Sequence, residues 1–188
     1  MRIISGNFKG KKLVLPKDIK TRPLKDLTKE SIFNILQHSS NLKFKLEKAV
    51  ILDLFSGVGS FGLECISRGA KEVIFYENYQ ETVKILTKNI NNLNCQSKSK
   101  VITENIFDYK NLAKLQKNNF EIIFLDPPYK EEKLTSLIDI IIDLKILKKN
   151  GVIIIHRHKK DQDIYSKKLN IFKTKIYGIS KIIFGLTS

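Results

Sequence analysis

Ala49-Val50-Ile51-Leu52-Asp53-Leu54-Phe55, followed by Ser56-Gly57-Val58-Gly59-Ser60-Phe61-Gly62, is the stretch whose reading decides the fold. The first seven residues are almost wholly apolar, the pattern of a strand buried on both faces of a parallel sheet. Glycines follow, and then a helical pattern through Leu63, Ile66 and Arg68. Strand, glycine loop and helix make the βα turn on which nucleotides bind. Gly57, Gly59 and Gly62 stand in G-x-G-x-x-G spacing with Asp53 four residues ahead. That spacing alone is weak evidence and is not read as a dinucleotide fingerprint. The next strand, Glu72-Val73-Ile74-Phe75-Tyr76-Glu77, ends in an acid. Glu77 lies 24 residues after Asp53, near the separation expected of an acid that holds ribose hydroxyls.

A second apolar run, Phe120-Glu121-Ile122-Ile123-Phe124-Leu125, leads into Asp126-Pro127-Pro128-Tyr129. A turn after a strand accounts for two prolines. It does not account for an acid and an aromatic beside them. Proline stiffens the backbone and carries no N–H, so the carbonyls and the Asp126 carboxylate are expected to point outward as fixed acceptors. Tyr129 adds a flat face. A planar amino group needs such acceptors for its N–H bonds and such a ring to stack on.

These two sites together resemble the class I S-adenosylmethionine (SAM) methyltransferases that carry a D/N-P-P-Y/F/W amino-methylating motif. Thr21-Arg22-Pro23, Asp26, Lys29-Glu30 and Phe33-Asn34 narrow the likeness. They resemble the T-R-P-x-x-D-x-x-[KR]-E-x-x-F-N signature of the bacterial 16S rRNA guanine-N2 methyltransferases of RsmD type. Met1 to Gly6, Lys9 to Leu13 and Lys175-Ile176-Tyr177-Gly178 are similar to that family as well. The resemblance implies an α/β, Rossmann-like class I methyltransferase fold. Its sheet would have seven mostly parallel strands with an antiparallel C-terminal strand, plus a basic N-terminal hairpin and helix. It implies SAM as cofactor, held by Asp53, Phe55, Gly57, Gly59 and Glu77, with Asn105 or Asp108 near the adenine. It implies that Asp126, Pro127, Pro128 and Tyr129 act on the amino group of a guanosine in small-subunit 16S rRNA, or in a late assembly intermediate of that subunit. Arg22, Lys11, Lys12 and Lys25 would meet phosphates. At the end of the fifth strand, Gly151 to Ile155, the family commonly has Glu; His156 stands here and reads as a drifted residue of the rim.

Three other readings share some of these features. An adenine-N6 DNA methyltransferase uses the same D-P-P-Y chemistry but needs a target-recognition region, for which 188 residues leave little room. Glutamine-N5 protein methyltransferases resemble N-P-P-Y, whereas position 126 is Asp. A non-catalytic RNA-binding or assembly module would not need Gly57, Gly59, Glu77 and Asp126 intact.

Charge is distributed unevenly. The net charge is +15. Residues 1–48 carry 12 Lys and Arg against 4 Asp and Glu, and residues 145–188 carry 11 against 2. The middle, 49–144, carries 11 against 13. A uniform lysine bias would not leave the middle slightly acidic, so basic flanks fit a polyanionic partner. At 42% hydrophobic, the chain can bury one sizeable core. It is read as one structural unit: residues 1–48 as a basic extension packed on a 49–188 methyltransferase domain, and the whole as a monomer. No stretch approaches the 18 apolar residues of a membrane span; Ile138 to Leu144 is interrupted by two acids. No apolar signal region follows the N-terminus. Cys65 and Cys95 suit reduced thiols of a cytoplasmic protein. With His38, His156 and His158 they lack metal-ligand spacing, so no metal is expected.

The remaining periodicities predict a β-hairpin or arm turning at Gly6 and Gly10 and a helix over Lys25–His38. They predict helices over Thr82–Ile90 and Leu112–Leu115, and a long one over Leu134–Leu147 stopped by Lys148-Lys149-Asn150-Gly151. Asn170–Ile176 and Ser180–Leu186 read as a final antiparallel pair.

Overall fold

Every parallel strand of the sheet ends on the same edge, and that edge carries the acids singled out above. The computed structural model describes residues 1–16 and 26–187. In chain order the elements are α1 (Asp26–His38), β1 (Val50–Leu54), α2 (Ser60–Ser67), β2 (Glu72–Tyr76), α3 (Gln80–Asn92) and β3 (Ser99–Ile102). Then come α4 (Tyr109–Ala113), β4 (Phe120–Leu125), α5 (Leu134–Asp143), β5 (Leu147–His158), β6 (Leu169–Tyr177) and β7 (Ser180–Thr187). The seven strands lie in the order β3-β2-β1-β4-β5-β7-β6. β3, β2, β1, β4 and β5 pair in parallel, and β7 runs antiparallel to both β5 and β6. This is the expected mostly parallel sheet with an antiparallel C-terminal strand. Strand order reverses between β1 and β4, and in open α/β sheets that switch point is where a crevice opens for ligands.

Both sheet faces are covered, as the continuous apolar strands require. Ile51, Val73, Phe75, Ile122, Phe124 and Ile154 face one core with residues of α1, α2 and α3. Leu52, Leu54, Ile74, Ile123, Leu125 and Ile153 face the other with residues of α4 and α5. On the first face Phe61 stacks between Phe33 and Phe124, at centroid distances of 5.3 and 4.1 Å. Cys65 and Cys95 are free and buried. No helix among the described residues is long and apolar enough to cross a membrane.

The first thirteen residues form a small hairpin. Arg2 bridges Lys12, and the Ile3 N–H donates to the Lys11 carbonyl at 2.9 Å. Gly6 turns it at φ +80°, where a Cβ would stand 1.9 Å from the Ser67 carbonyl oxygen. The arm is fastened to α2 by one buried carboxylate. Glu64 accepts from the Ile4 N–H (2.7 Å), the Ser5 N–H (2.9 Å) and Arg68 Nε (2.8 Å), and Lys29 Nζ of α1 lies 3.6 Å away. α1 begins at Asp26 among the described residues. Thr21, Arg22, Pro23 and Lys25 lie outside them.

The boundary between α5 and β5 differs most from its expectation. α5 ends at Asp143, and Lys148-Lys149-Asn150 belong to β5 instead of stopping a helix. Lys145 takes a left-handed φ of 52° and breaks the helix first. Ile146 and Leu147 are then drawn into the core beside β4, where the Phe120 N–H donates to the Ile146 carbonyl. Lys148 meets Glu121 of β4. Local basic residues and glycine looked like a stop, but the pairing of β5 with β4 overrode them.

Candidate active site

A cavity of about 450 Å³ opens at the switch point. β1, β2 and β4 each deliver an acid to it: Asp53, Glu77 and Asp126. A smaller cavity of about 210 Å³ adjoins it, sharing Phe55, Glu77 and Pro128.

Asp53 forms the floor. Its Oδ2 accepts from the Gly62 N–H at 2.9 Å, which ties the strand to the start of α2. Its Oδ1 is buried and without a partner among the described residues. Burial pushes the Asp53 carboxyl well above the usual carboxylate range, and the charges of Asp126 and Glu77 push it the same way. The sign of the pH effect follows. An unfolded chain releases this proton near pH 4, while the folded chain holds it to higher pH. Asp53 therefore costs stability as pH rises above the unfolded value. Asp53→Asn removes that cost while keeping an acceptor for Gly62. In urea unfolding from pH 4 to 8, the variant is expected to gain stability over wild type as pH rises. A constant difference across that range would mean that Asp53 does not titrate in this way.

The glycine loop divides its labour. Gly57 lines the cavity, and its N–H donates to Glu77 Oε2 at 2.9 Å. Gly59 does not line it. Gly59 caps α2 at φ +84°, and a Cβ there would meet Leu86 Cδ1 at 2.5 Å. Phe55 leaves β1 at φ 58°, a conformation that costs a non-glycine residue roughly 1–3 kcal/mol and marks functional turns. Its ring tilts against Phe107 at 6.0 Å.

Glu77 uses its two oxygens on two backbone amides, Gly57 (2.9 Å) and Tyr79 (2.9 Å). It thus shapes the loop as well as facing the cavity. Asn105 and Asp108, the two residues expected near an adenine, line neither cavity. Asn105 Oδ1 accepts from the Phe107 N–H at 3.0 Å, and Asp108 caps α4 by accepting from the Lys110 N–H at 2.9 Å. Their neighbours Ile106 and Phe107 line the smaller cavity instead. Short polar side chains close local turns readily, and that use competes with pointing at a ligand.

Asp126 stands at the end of β4, its N–H donating to the Leu54 carbonyl at 3.3 Å. Its Oδ1 lies 2.7 Å from His156 Nδ1. The Pro128 carbonyl accepts from the Glu131 N–H at 2.9 Å and from Arg157 at 3.2 Å, so it is turned inward. The Pro127 carbonyl has no donor among the described residues. Tyr129 lines the cavity with its edge toward the rings of His156 and His158, at 6.3 and 5.2 Å. His156, expected to be a drifted rim residue, is buried against Asp126. No local sequence signal placed it there: the register of β4 on β5, Leu125 beside Ile155, sets positions 126 and 156 side by side. Arg157 was missed altogether. Lys11 and Lys12 are exposed on the arm.

A 3-2-1-4-5-7-6 sheet, a glycine loop after β1 and an acid after β2 define the Rossmann-like class I methyltransferase fold. A solved structure of an Escherichia coli protein described as a candidate methyltransferase superposes with a TM-score of 0.83 at 26% identity, over 100% of this chain and 98% of that one. The chain belongs to the family described as "Conserved hypothetical protein 95", whose model matches residues 1–185. Its relatives include proteins named ribosomal RNA small subunit methyltransferase D. The one from Haemophilus influenzae is 32% identical, covering 95% of this chain and 90% of that one. The one from Buchnera aphidicola is 33% identical, covering 93% and 86%.

Proposed function

We propose that this protein transfers a methyl group from SAM to the exocyclic N2 amino group of one guanosine in 16S rRNA of the small ribosomal subunit. The observation that carries the reading is the placement of Asp126 on the same cavity as Gly57 and Glu77, so that an amine acceptor and a nucleotide-type loop face one space. The residues suit SAM. Glu77 offers carboxylate oxygens where ribose hydroxyls would lie, and the unpartnered Asp53 Oδ1 lies buried at the floor, where a cationic or N–H-bearing group would complete it. SAM, when bound, supplies an electrophilic methyl on sulfur.

An aromatic amine is a poor nucleophile because its lone pair is delocalised into the ring. The Asp126 carboxylate and the Pro127 carbonyl accept its two N–H bonds, which favours the rehybridised nitrogen and aims its lone pair. That is orientation together with electrostatic stabilisation of charge growing on nitrogen. Asp126 need not be a strong base, since the nitrogen becomes acidic as it is alkylated. Tyr129 stacks on the base, which must leave its own stack to reach the cavity. Arg22, Lys25, Lys11 and Lys12 would hold flanking phosphates. Phosphate contacts position an RNA without selecting one base, so shape selects it, and the structured subunit or a late assembly intermediate is the better substrate.

The test is methyl transfer from labelled SAM to naked 16S rRNA and to small subunits at matched salt, with the product mapped by mass spectrometry. One N2-methylguanosine, formed faster in subunits, is the expected result. Methylation of adenine N6 or of protein, or none at all, would refute the proposal. Equal rates on both substrates would remove the shape argument.

Glu77→Ala tests the cofactor half. Losing a charged acceptor costs roughly 1.5–3 kcal/mol, or about 10–150-fold in SAM affinity. The Gly57 amide loses its partner as well. Unchanged affinity by calorimetry would make Glu77 a purely local brace.

A further inference from the structure

The last three residues of β5 each reach a different part of the Asp126–Tyr129 loop. His156 Nδ1 lies 2.7 Å from Asp126 Oδ1. Arg157 Nη1 donates to the Pro128 carbonyl at 3.2 Å, and its Nη2 donates to the Glu131 carbonyl at 3.4 Å. The His158 ring packs edge-on against Tyr129 at 5.2 Å. His156 and Arg157 are both buried.

The guanidinium is itself fixed from behind. Its Nε donates to Asp163 Oδ2 at 2.8 Å and its Nη2 to Asp163 Oδ1 at 3.1 Å, a bidentate fork. Asp161 Oδ2 lies 3.2 Å from Nε, and the Tyr165 hydroxyl donates to Asp163 Oδ2 at 3.1 Å. Two acids are enough to neutralise one cation. Neutralisation does not explain why the remaining donors end on two carbonyls of the loop beside the cavity. The planar fork of arginine supplies that geometry, and a lysine ammonium cannot.

The imidazole has an equally defined task. A nitrogen and a carboxylate oxygen 2.7 Å apart need one proton between them, so with Asp126 ionised the proton sits on Nδ1. Nε2 is buried and has no partner among the described residues. Asp126 Oδ1 is held by His156, which leaves Oδ2 for a substrate amine.

We infer that His156, Arg157 and His158 form a clamp that sets the geometry of the catalytic loop, with His156 and Arg157 as its positioning residues. Arg157 turns the Pro128 carbonyl inward, so that only the Pro127 carbonyl and Asp126 Oδ2 face the substrate. The activity arm of the test rests on the proposed amine methylation; the loop arm does not.

The variants are Arg157→Lys, Asp163→Asn, His156→Asn and His156→Phe. Asn places a donor near the position of Nδ1, and Phe places none. Arg157→Lys and His156→Phe are expected to lower kcat by roughly 10–100-fold, the scale of a misplacement of about 1 Å. KM for RNA and Kd for SAM should stay within about threefold on the same reasoning, since neither residue is assigned to bind them. His156→Asn should recover most of the loss seen with His156→Phe. Hydrogen exchange read by mass spectrometry should show faster uptake at the amides of 129–133 in Arg157→Lys and Asp163→Asn, with 50–62 unchanged. Should Arg157→Lys fail to fold, Asp163→Asn keeps the arginine and loosens only its anchor. Unchanged kcat together with unchanged uptake at 129–133 overturns the clamp, as does a loss in kcat matched by an equal loss of SAM binding. A wild-type protein without methyl transfer refutes the proposed function, and the exchange measurement then decides the clamp alone.

Discussion

Asp126→Ala is expected to lower methyl transfer by roughly 10²–10⁴-fold, the range seen when a positioned acid–base or charge-stabilising group is lost. SAM affinity should stay within a few-fold. Asp126 shares the cavity with the glycine loop, but on the proposed reading its free oxygen faces the target amine. The loss has two parts: the amine loses its charged acceptor, and His156 loses the partner that orients it. Asp126→Asn keeps an acceptor without the charge, so its activity should fall between wild type and alanine. Single-turnover transfer of labelled methyl and calorimetry with SAM separate the two steps. Full activity in Asp126→Ala would end the assignment of this loop to catalysis. A parallel collapse of SAM binding would make Asp126 a cofactor residue.

Glu64→Ala is expected to be the most damaging single substitution for stability. Glu64 and Lys29 have no exposed side-chain surface at all. Removing the carboxylate takes the ion-pair partner from Lys29 and Arg68 and the acceptor from the amides of Ile4 and Ser5 together. Burial already lowers the Lys29 pKa against the pull of Glu64 and Asp26, so losing Glu64 favours the neutral amine further, although Nζ still donates to the Arg2 carbonyl at 2.7 Å. Breaking a buried pair costs about 3–5 kcal/mol. At about 2–4 °C per kcal/mol for a chain of this size, the melting temperature should drop by roughly 6–20 °C. Lys29→Met should cost less, because Glu64 keeps Arg68 and both amides. Limited proteolysis should then cut the Glu64→Ala arm first, near Gly6 and Gly10. A melting point within 2 °C of wild type, on the same scale, would show that apolar packing of Ile3 and Leu13 holds the arm without the carboxylate.

The placement of Gly57, Glu77 and Asp126 on one cavity was legible because strand ends carry them and the strands announce themselves by apolar runs. Their convergence follows from parallel topology alone. The local turn contacts of Asn105 and Asp108 were not legible, since the sequence cannot say whether a short polar side chain will face a cavity or close its own turn. His156 and Arg157 act on residues 30 and 29 positions away, and no local pattern marks such a contact. The end of α5 was misplaced for a related reason. Lys148 to Gly151 resemble a helix stop, while a left-handed Lys145 and the edge of β4 decide the matter.

The Glu64 fastening also bears on the order of events during synthesis. Ile4 and Ser5 precede their acceptor by 60 and 59 residues. At translation rates of about 5–20 residues per second, the arm waits roughly 3–12 s before α2 exists to receive it. For that interval a cationic segment stands unpaired beside the nascent chain. β7 imposes a second delay, because it follows β6 in the chain yet lies between β5 and β6 in the sheet. Two long-range closures therefore gate the native state: the arm waits for α2, and β6 waits for β7 before it can join the sheet.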